Sequence, residues 1–427
     1  MSIHEPELDW SRTQPDSGTD AWRWPDVEQV PAGAVRGRIA WTLLRRAVRR
    51  LPVRICMPDG TNIGGGGPRD PIMHLVRPEC FARRLGASGL IGFGEAWMAG
   101  DWDTDDLVGV LTVFAGQVSA LIPPRLQRLR DRALPRHPRD EVATVGGARA
   151  NAAHHYDLSN DLFALFLDPS LTYSAALFPT DHPTEATFGE LEAAQATKID
   201  RLLDGAGVSS GTTLLEIGTG WGELAIRAAA RGARVHSVTL SEEQRDLAVR
   251  RVAAAGHAGS VTIELCDYRD VEGTYDAVVS VEMIEAVGAP FWGGYFAAVD
   301  CHLSPGGRVG LQAITMPHDR MLVSRHTYTW MQKYIFPGGL IPSVEAIEEA
   351  VAARTALRPL DRIAFGSHYA HTLALWRERF EAAAAAVADL GFDATFRRMW
   401  SLYLAYSEAG FRSGYLDVHQ FLFEKTR

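Results

Sequence analysis

Cysteine is scarce in this chain: four in 427 residues, namely Cys56, Cys80, Cys266 and Cys301, widely separated and with no C-x-x-C pair. That excludes a disulfide framework, makes a structural zinc site a poor fit, and suits a reducing compartment. Long apolar runs are missing as well, so nothing in the sequence is built to span a bilayer. The first twenty residues are polar and acidic and lack the basic-then-apolar order of a secretion signal. A cytoplasmic protein is therefore expected. Net positive charge is absent: the balance is -9, which argues against a nucleic-acid partner. What remains is an ordinary globular composition, 46% apolar and 22% charged, in a chain too long for one typical core, so two domains are expected.

Acidic residues are missing locally. Between residues 34 and 54 there are seven arginines and no acid. Trp41, Leu44, Val48 and Leu51 recur there at helical spacing, with Arg38, Arg45 and Arg49 on the other side, which predicts an amphipathic helix over 35–51. Arg125, Arg128, Arg130, Arg132, Arg136 and Arg139 form a second dense group. Such segments suit an anionic lipid surface, and a solvated arginine face is the plainer alternative for the helix. Composition divides the chain into a polar leader (1–33), a small N-terminal domain (34–122), an Arg/Pro-rich linker (123–147) and a large C-terminal domain (148–427). The glycines of segment 91–102 suggest turns and close backbone approach.

From about residue 148 strands and helices alternate. Strands are predicted at 212–217, 234–240, 261–265, 275–281 and 308–314, and helices at 222–231 and 241–255, a pattern that specifies a doubly wound, mostly parallel α/β sheet. Between the first strand and helix runs LLEIGTGWG, with Glu216, Gly218, Gly220, Trp221 and Gly222. Its spacing is G-x-G-x-G, not G-x-G-x-x-G, and Thr239-Leu240-Ser241 stands where a dinucleotide site carries its ribose-binding acid. S-adenosylmethionine is the ligand this pattern favours, with Glu216 near its ammonium group, Thr239 and Gln244 near its ribose, and Asp267 and Tyr268 near its adenine. Residues 282–285 end the fourth strand, at the carboxyl edge where open α/β sheets place their chemistry.

The segments HYDLSNDLF (155–163), TYS (172–174), the glycine motif, VTLSEEQ (238–244), CDYRD (266–270), MIEAVG (283–288), KYIFPGG (333–339) and LYL (402–404) occur in order. Together they resemble the cyclopropane fatty-acyl-phospholipid synthases over nearly the whole chain. The resemblance implies a Rossmann-like class I methyltransferase sheet with a smaller N-terminal α+β lipid-associated domain. It implies cofactor contacts from Tyr173, Ser174, Gly218, Gly220, Thr239 and Gln244. It also implies a bicarbonate ion beside the transferred methyl, with Glu285, Ile314 and Tyr403 matching three of its partners. Two positions depart: Ala175 stands where the family has cysteine, and Gln312 where it has histidine. Ala286 likewise replaces the usual histidine after the glutamate.

An alkene is a weak nucleophile, so methyl transfer to it needs a sulfonium donor, a dry pocket and a base. The methylation leaves a carbocation on the acyl chain, which aromatic faces can stabilise. Tyr173, Phe178, Trp330, Tyr334, Phe336 and Tyr403 are candidates, and Glu285 is the candidate base. Direct proton loss with ring closure gives cyclopropane. Proton loss after a hydride shift gives an exomethylene group. The departures at Ala175, Ala286 and Gln312 favour the branch that makes 10-methylene fatty acyl chains, whose product a separate flavin- or NADPH-dependent reductase would saturate. The expected partners are thus phospholipid acyl chains at the inner membrane face and such a reductase; a homo-oligomer is compatible with this reading. A methyltransferase for small amines or hydroxyls and a non-catalytic lipid-binding relative are the alternatives.

Overall fold

The computed structural model describes residues 24–117, 159–180, 183–325 and 327–426. Most of the expected leader, the expected linker with its six arginines, and His155–Leu158 of the HYDLSNDLF motif lie outside the described residues. The chain forms two compact units that are not contiguous in sequence. Thr327–Tyr334 and Phe380–Ser413 group with the described N-terminal residues, whereas Ile335–Arg379 and the residues from Gly414 onward group with the described residues between 159 and 325. The division at 148 expected from composition therefore does not describe the packing. Two later segments, both inside the stretch read as one methyltransferase domain, belong to the N-terminal unit.

The larger unit is built on a seven-stranded sheet. Its strands are β5 (Thr213–Ile217), β6 (Arg234–Thr239), β7 (Val261–Leu265), β8 (Tyr275–Val281), β9 (Leu303–Thr315), β10 (Leu357–Ala364) and β11 (Asp417–Lys425). The order is β10-β11-β9-β8-β5-β6-β7. Strands β5 to β9 are parallel, and β11 runs antiparallel between β9 and β10. Central strands buried on both faces read as apolar runs, and here Leu214, Leu215, Ile217, Val278 and Val279 are at most 1% exposed. One core cluster joins Leu215, Val278, Phe296, Val309 and Phe421, and another joins Leu202, Leu214, Ala225 and Val235. Each large side chain so buried contributes about 1.5–3 kcal/mol. Helix Glu242–Ala254 starts as its sequence predicts: Ser241 Oγ accepts from the backbone N–H of Gln244 at 3.2 Å.

The smaller unit carries the sheet β2-β1-β3-β4, of β1 (Arg54–Cys56), β2 (Asn62–Ile63), β3 (Ile72–Leu75) and β4 (Trp102–Asp103). The arginine-rich helix spans Ala34–Val48 and buries Gly37, Trp41 and Val48. It lies so close to helix Pro78–Ser88 that a Cβ on Gly86 would stand 2.6 Å from the backbone of Arg36. The segment 91–102 was expected to hold turns. It holds one at residues 99–100, where Gly100 has φ +74°, after the helix Leu90–Met98, and the helix glycines serve close approach: a Cβ on Gly92 would overlap the backbone of Arg84, and one on Gly94 the ring of Trp330. Among the described residues no helix is long and apolar enough to cross a membrane.

Candidate active site

The loop after β5 makes the first wall. Gly218, Gly220 and Gly222 all have positive φ, at 96°, 52° and 92°. A Cβ on Gly218 would lie 2.6 Å from Met283 Cγ, and one on Gly222 3.1 Å from Ala248 Cβ, whereas at Gly220 nothing stands within 4 Å. The backbone therefore turns tightly against protein at the outer glycines and is open at the middle one, as a loop that receives a ligand needs. Trp221 anchors the turn: its Nε1 donates to Asn160 Oδ1 at 2.7 Å, and its ring lies 4.9 Å from Phe163. Both partners come from the HYDLSNDLF motif. Tyr173 packs on Phe163 at 5.1 Å and on Trp376 at 5.3 Å. Phe178 stacks 6.1 Å from His368.

Other cofactor candidates sit at the ends of β5, β6 and β7. Glu216 is 2% exposed and accepts a 2.5 Å bond from Ser237 Oγ, which in turn pairs with Thr219 Oγ1 at 2.7 Å. Burial pushes its carboxyl up to about 8. Thr239 Oγ1 donates to Gln244 Oε1 at 3.0 Å, and half-buried Leu240 follows it. Both oxygens of Asp267 are clamped by Arg269, Nε at 2.7 Å and Nη2 at 2.6 Å. Tyr268 meets Tyr295 edge to face at 5.2 Å.

At the end of β8 stand two carboxyls. Glu285 Oε1 accepts the backbone N–H of Ile314 at 2.5 Å, while its Oε2 is shut from solvent and has no partner among the described residues. Burial first, and then the charge of Glu282, push Glu285 up to about 8. Glu282 has φ +53°, the left-handed region, which costs a non-glycine residue about 1–3 kcal/mol. Its Oε1 accepts from the Ala175 backbone N–H at 3.0 Å and from Gln312 Nε2 at 2.8 Å, and its Oε2 from the Tyr369 hydroxyl at 2.7 Å. Burial raises this carboxyl, and Lys198 and the three donors oppose that rise. Both glutamates are half-buried residues.

Gln312 is fully buried and cannot swing: its Oε1 accepts from Gln420 Nε2 at 3.0 Å, and Gln420 Oε1 accepts from Arg201 at 2.8 Å. Lys198, also fully buried, donates from Nζ to Ser174 Oγ at 2.6 Å. Burial lowers its ammonium to about 8, against the pull of Glu282 and Asp168. Sequence reasoning missed Lys198, Gln420 and Tyr369, and read Glu282 only as a strand end. One signal was available: Lys198 stands midway between Ala194 and Leu202 on the inner stripe of helix Leu191–Gly205.

Tyr334 and Tyr403 belong to the smaller unit. The Tyr334 hydroxyl donates to Glu95 Oε1 at 2.9 Å, beside Lys333, and its ring lies 5.6 Å from Trp330. Burial and Glu95 raise that phenol well above its ordinary value. Tyr403 is buried in helix Ala394–Arg412 with its ring 5.1 Å from Trp400.

Strand order, the glycine turn at the end of the central strand and the polar positions at the next two strand ends define a class I methyltransferase. The chain belongs to the mycolic acid cyclopropane synthetase family, whose model matches residues 146–421. It is 57% identical to the tuberculostearic acid methyltransferase UfaA1 of Mycobacterium tuberculosis, over 95% of this chain and 96% of that one. It is 33% identical to the cyclopropane-fatty-acyl-phospholipid synthase of Escherichia coli, over 91% and 93%. Among solved structures, the cyclopropane synthase MmaA2 of M. tuberculosis matches with a TM-score of 0.59 at 32% identity, over 65% of this chain and 98% of that one. The mycolic acid cyclopropane synthase CmaA1 complexed with SAH and CTAB matches with the same values. The chain is an S-adenosylmethionine-dependent methyltransferase, and the open backbone at Gly220 fits that cofactor.

Bicarbonate fits differently. The N–H donors this unit would offer it, from Ala175, Gln312 and Ile314, are already given to the carboxyls of Glu282 and Glu285. A bicarbonate ion there would meet the carboxyls of Glu282 and Glu285 and no spare N–H from this set.

Proposed function

We propose that this enzyme transfers a one-carbon unit from S-adenosylmethionine to the double bond of an unsaturated, oleoyl-type phospholipid acyl chain, giving a 10-methylene chain. The observation that carries this reading is the carboxyl pair Glu282 and Glu285 at the end of β8, joined by Met283 to the glycine turn. The high identity to a tuberculostearic acid methyltransferase favours the methylene product. When bound, the cofactor supplies an electrophilic methyl. Gly218, Gly220 and Gly222 shape its seat, Tyr173 and Ser174 border it, and Thr239 and Gln244 offer polar groups for its ribose. The acyl double bond would give its electron pair to that methyl carbon as the methyl–sulfur bond breaks and leaves its pair on the thioether sulfur, and a cation would remain on the neighbouring acyl carbon. A hydride shift moves the cation to the methylated carbon. Loss of a proton from the new methyl, its C–H pair becoming the second bond of the methylene, ends the reaction. Burial raises both carboxyls, Glu285 to about 8, while Lys198 and three donors oppose the rise at Glu282, which favours Glu282 as the member that accepts a proton. A separate flavin- or NADPH-dependent reductase would then make the methyl branch.

Lipids from an oleate-fed host expressing this chain without a reductase should gain a species one carbon heavier, which ozone cleaves at a mid-chain carbon. An ozone-resistant species would mean a cyclopropane product. No new species would reject alkene methylation.

The acyl chain must be drawn from a membrane. On helix Ala34–Val48, Val35, Ile39 and Leu43 form an i, i+4, i+8 stripe that is 69%, 56% and 43% exposed. Arg36, Arg46 and Arg50 are exposed beside it. Apolar stripe and arginines together suit peripheral docking on anionic lipid. Arg46→Glu with Arg50→Glu should weaken sedimentation with anionic vesicles, by about 1 kcal/mol for each charge removed. Unchanged binding would exclude this helix as the docking element.

A further inference from the structure

We infer that Glu282 is a built-in replacement for an external anion: its carboxylate takes the donors that would hold bicarbonate and is itself the proton acceptor, so turnover needs no bicarbonate. The inference rests on the alkene-methylation reading above and names the base for it.

Three observations converge on Glu282. First, its backbone is held at φ +53°, a conformation that glycine adopts freely and glutamate does not, so the side chain is kept at a conformational cost. Strain of this kind persists where the surroundings over-determine it, and here they do. Secondly, every group on the carboxylate donates: the Ala175 N–H and the Gln312 amide on Oε1, the Tyr369 hydroxyl on Oε2. Three donors satisfy an ionised carboxylate, which has about four acceptor positions. One position stays open, on Oε2. Glu285 has backbone donors alone, its own N–H and that of Ile314, and no side-chain donor among the described residues. When the two share a proton, Glu285 is the better place for it. Thirdly, Lys198, fully buried, adds a positive charge whose field favours ionised Glu282.

The replaced positions now make chemical sense together. At 175 the backbone N–H of a fully buried alanine reaches Glu282. At 312 an amide donates to the carboxylate without titrating, and Gln420 locks its orientation. In the step itself, the C–H bond of the new methyl breaks, its electron pair forms the methylene double bond, and the proton passes to Glu282 Oε2. The acid so formed returns the proton to water after product leaves.

The test uses the full-length protein with oleoyl phospholipid vesicles. Glu282→Gly relieves the backbone, so it should fold, and retained binding of S-adenosylmethionine by calorimetry confirms that. Wild type should turn over equally in carbonate-depleted and bicarbonate-supplemented buffer. Glu282→Gly should lose about 10²-fold or more in turnover, the ordinary worth of a positioned base, and recover part of it with added formate or bicarbonate. Carbon-13 bicarbonate should show line broadening with the glycine variant and none with wild type, a reading that needs no turnover. Wild-type dependence on bicarbonate, broadening with wild type, or a glycine variant of full activity without added anion would each overturn the inference. Failure of wild type to alter any lipid rejects alkene methylation instead, and leaves the carbon-13 result to judge Glu282. Should Glu282→Gly not fold, Glu282→Gln, which keeps the shape and removes the charge, must show the same loss without anion rescue. Full activity in that variant would also overturn the inference.

Discussion

Lys198→Met should cut turnover at neutral pH by about tenfold or more and move the acid limb of the rate–pH profile upward, each unit of pKa being a factor of ten in ionised base. The residue is fully buried and its ammonium is the positive charge that opposes the burial of Glu282. With methionine in its place, burial still raises the Glu282 carboxyl, and only the donors from Ala175, Gln312 and Tyr369 resist. The carboxyl then holds its proton to higher pH, and fewer molecules carry a competent base at neutrality. Glu285, which feels the charge of Glu282, and Asp168, which acts on Lys198, are the further carboxyls coupled to these two residues. Turnover should recover as the pH rises, which separates lost charge from lost structure. A profile superimposable on that of wild type would show that Lys198 does not set the ionisation of the pair.

Gly218→Ala should abolish measurable binding of S-adenosylmethionine and lower the melting temperature by several degrees. Two costs add. At φ +96° an L-residue is strained, by about 1–3 kcal/mol. The new methyl would also stand 2.6 Å from Met283 Cγ and 2.7 Å from its Sδ, an overpacking of about 1–3 kcal/mol. Met283 can move, but it links Glu282 to Glu285, so relief at the glycine turn is taken from the carboxyl pair. Calorimetric titration and thermal unfolding would measure both effects. Gly220→Ala separates them: it faces no atom within 4 Å, so it should lose cofactor affinity with a smaller loss of stability. Normal affinity in both variants would remove this loop from the cofactor site.

Parallel strands β5 to β8 were legible to within about a residue because each is an apolar run bounded by a glycine-rich or polar turn, whereas β9 begins at Leu303, ahead of the predicted 308. The predicted 261–265 and 275–281 coincide with β7 and β8. Strands β10 and β11 were not legible. β10 is largely exposed and carries a proline, and β11 buries His419 and Gln420, so neither shows a clean alternation. The cofactor loop was legible because Gly218, Gly220 and Gly222 lie close together in sequence. The carboxyl site was only half legible. Glu285 stood out in MIEAVG, but Glu282 acquires its meaning from a backbone angle and from Ala175, Gln312 and Tyr369, which no local pattern links. Lys198 looks like any helix lysine until Ser174 is seen to accept from it. Tyr334 was read as an aromatic face for the carbocation, and its hydroxyl proves to be committed to Glu95.

The discontinuous make-up of the smaller unit bears on how the protein is made. Its sheet strands lie between residues 54 and 103, yet helix Ala394–Arg412, which packs on helices Leu90–Met98 and Leu107–Gly116, comes nearly three hundred residues later. At ribosomal speeds that separation is on the order of tens of seconds. Throughout that time Trp97 lacks the partner it has in the finished fold, where Arg398 lies 4.0 Å over its ring. The first unit begun is thus among the last completed. No single cut frees either unit intact, so a stop codon anywhere before residue 413 deprives both units of native structure, including the one that was translated first.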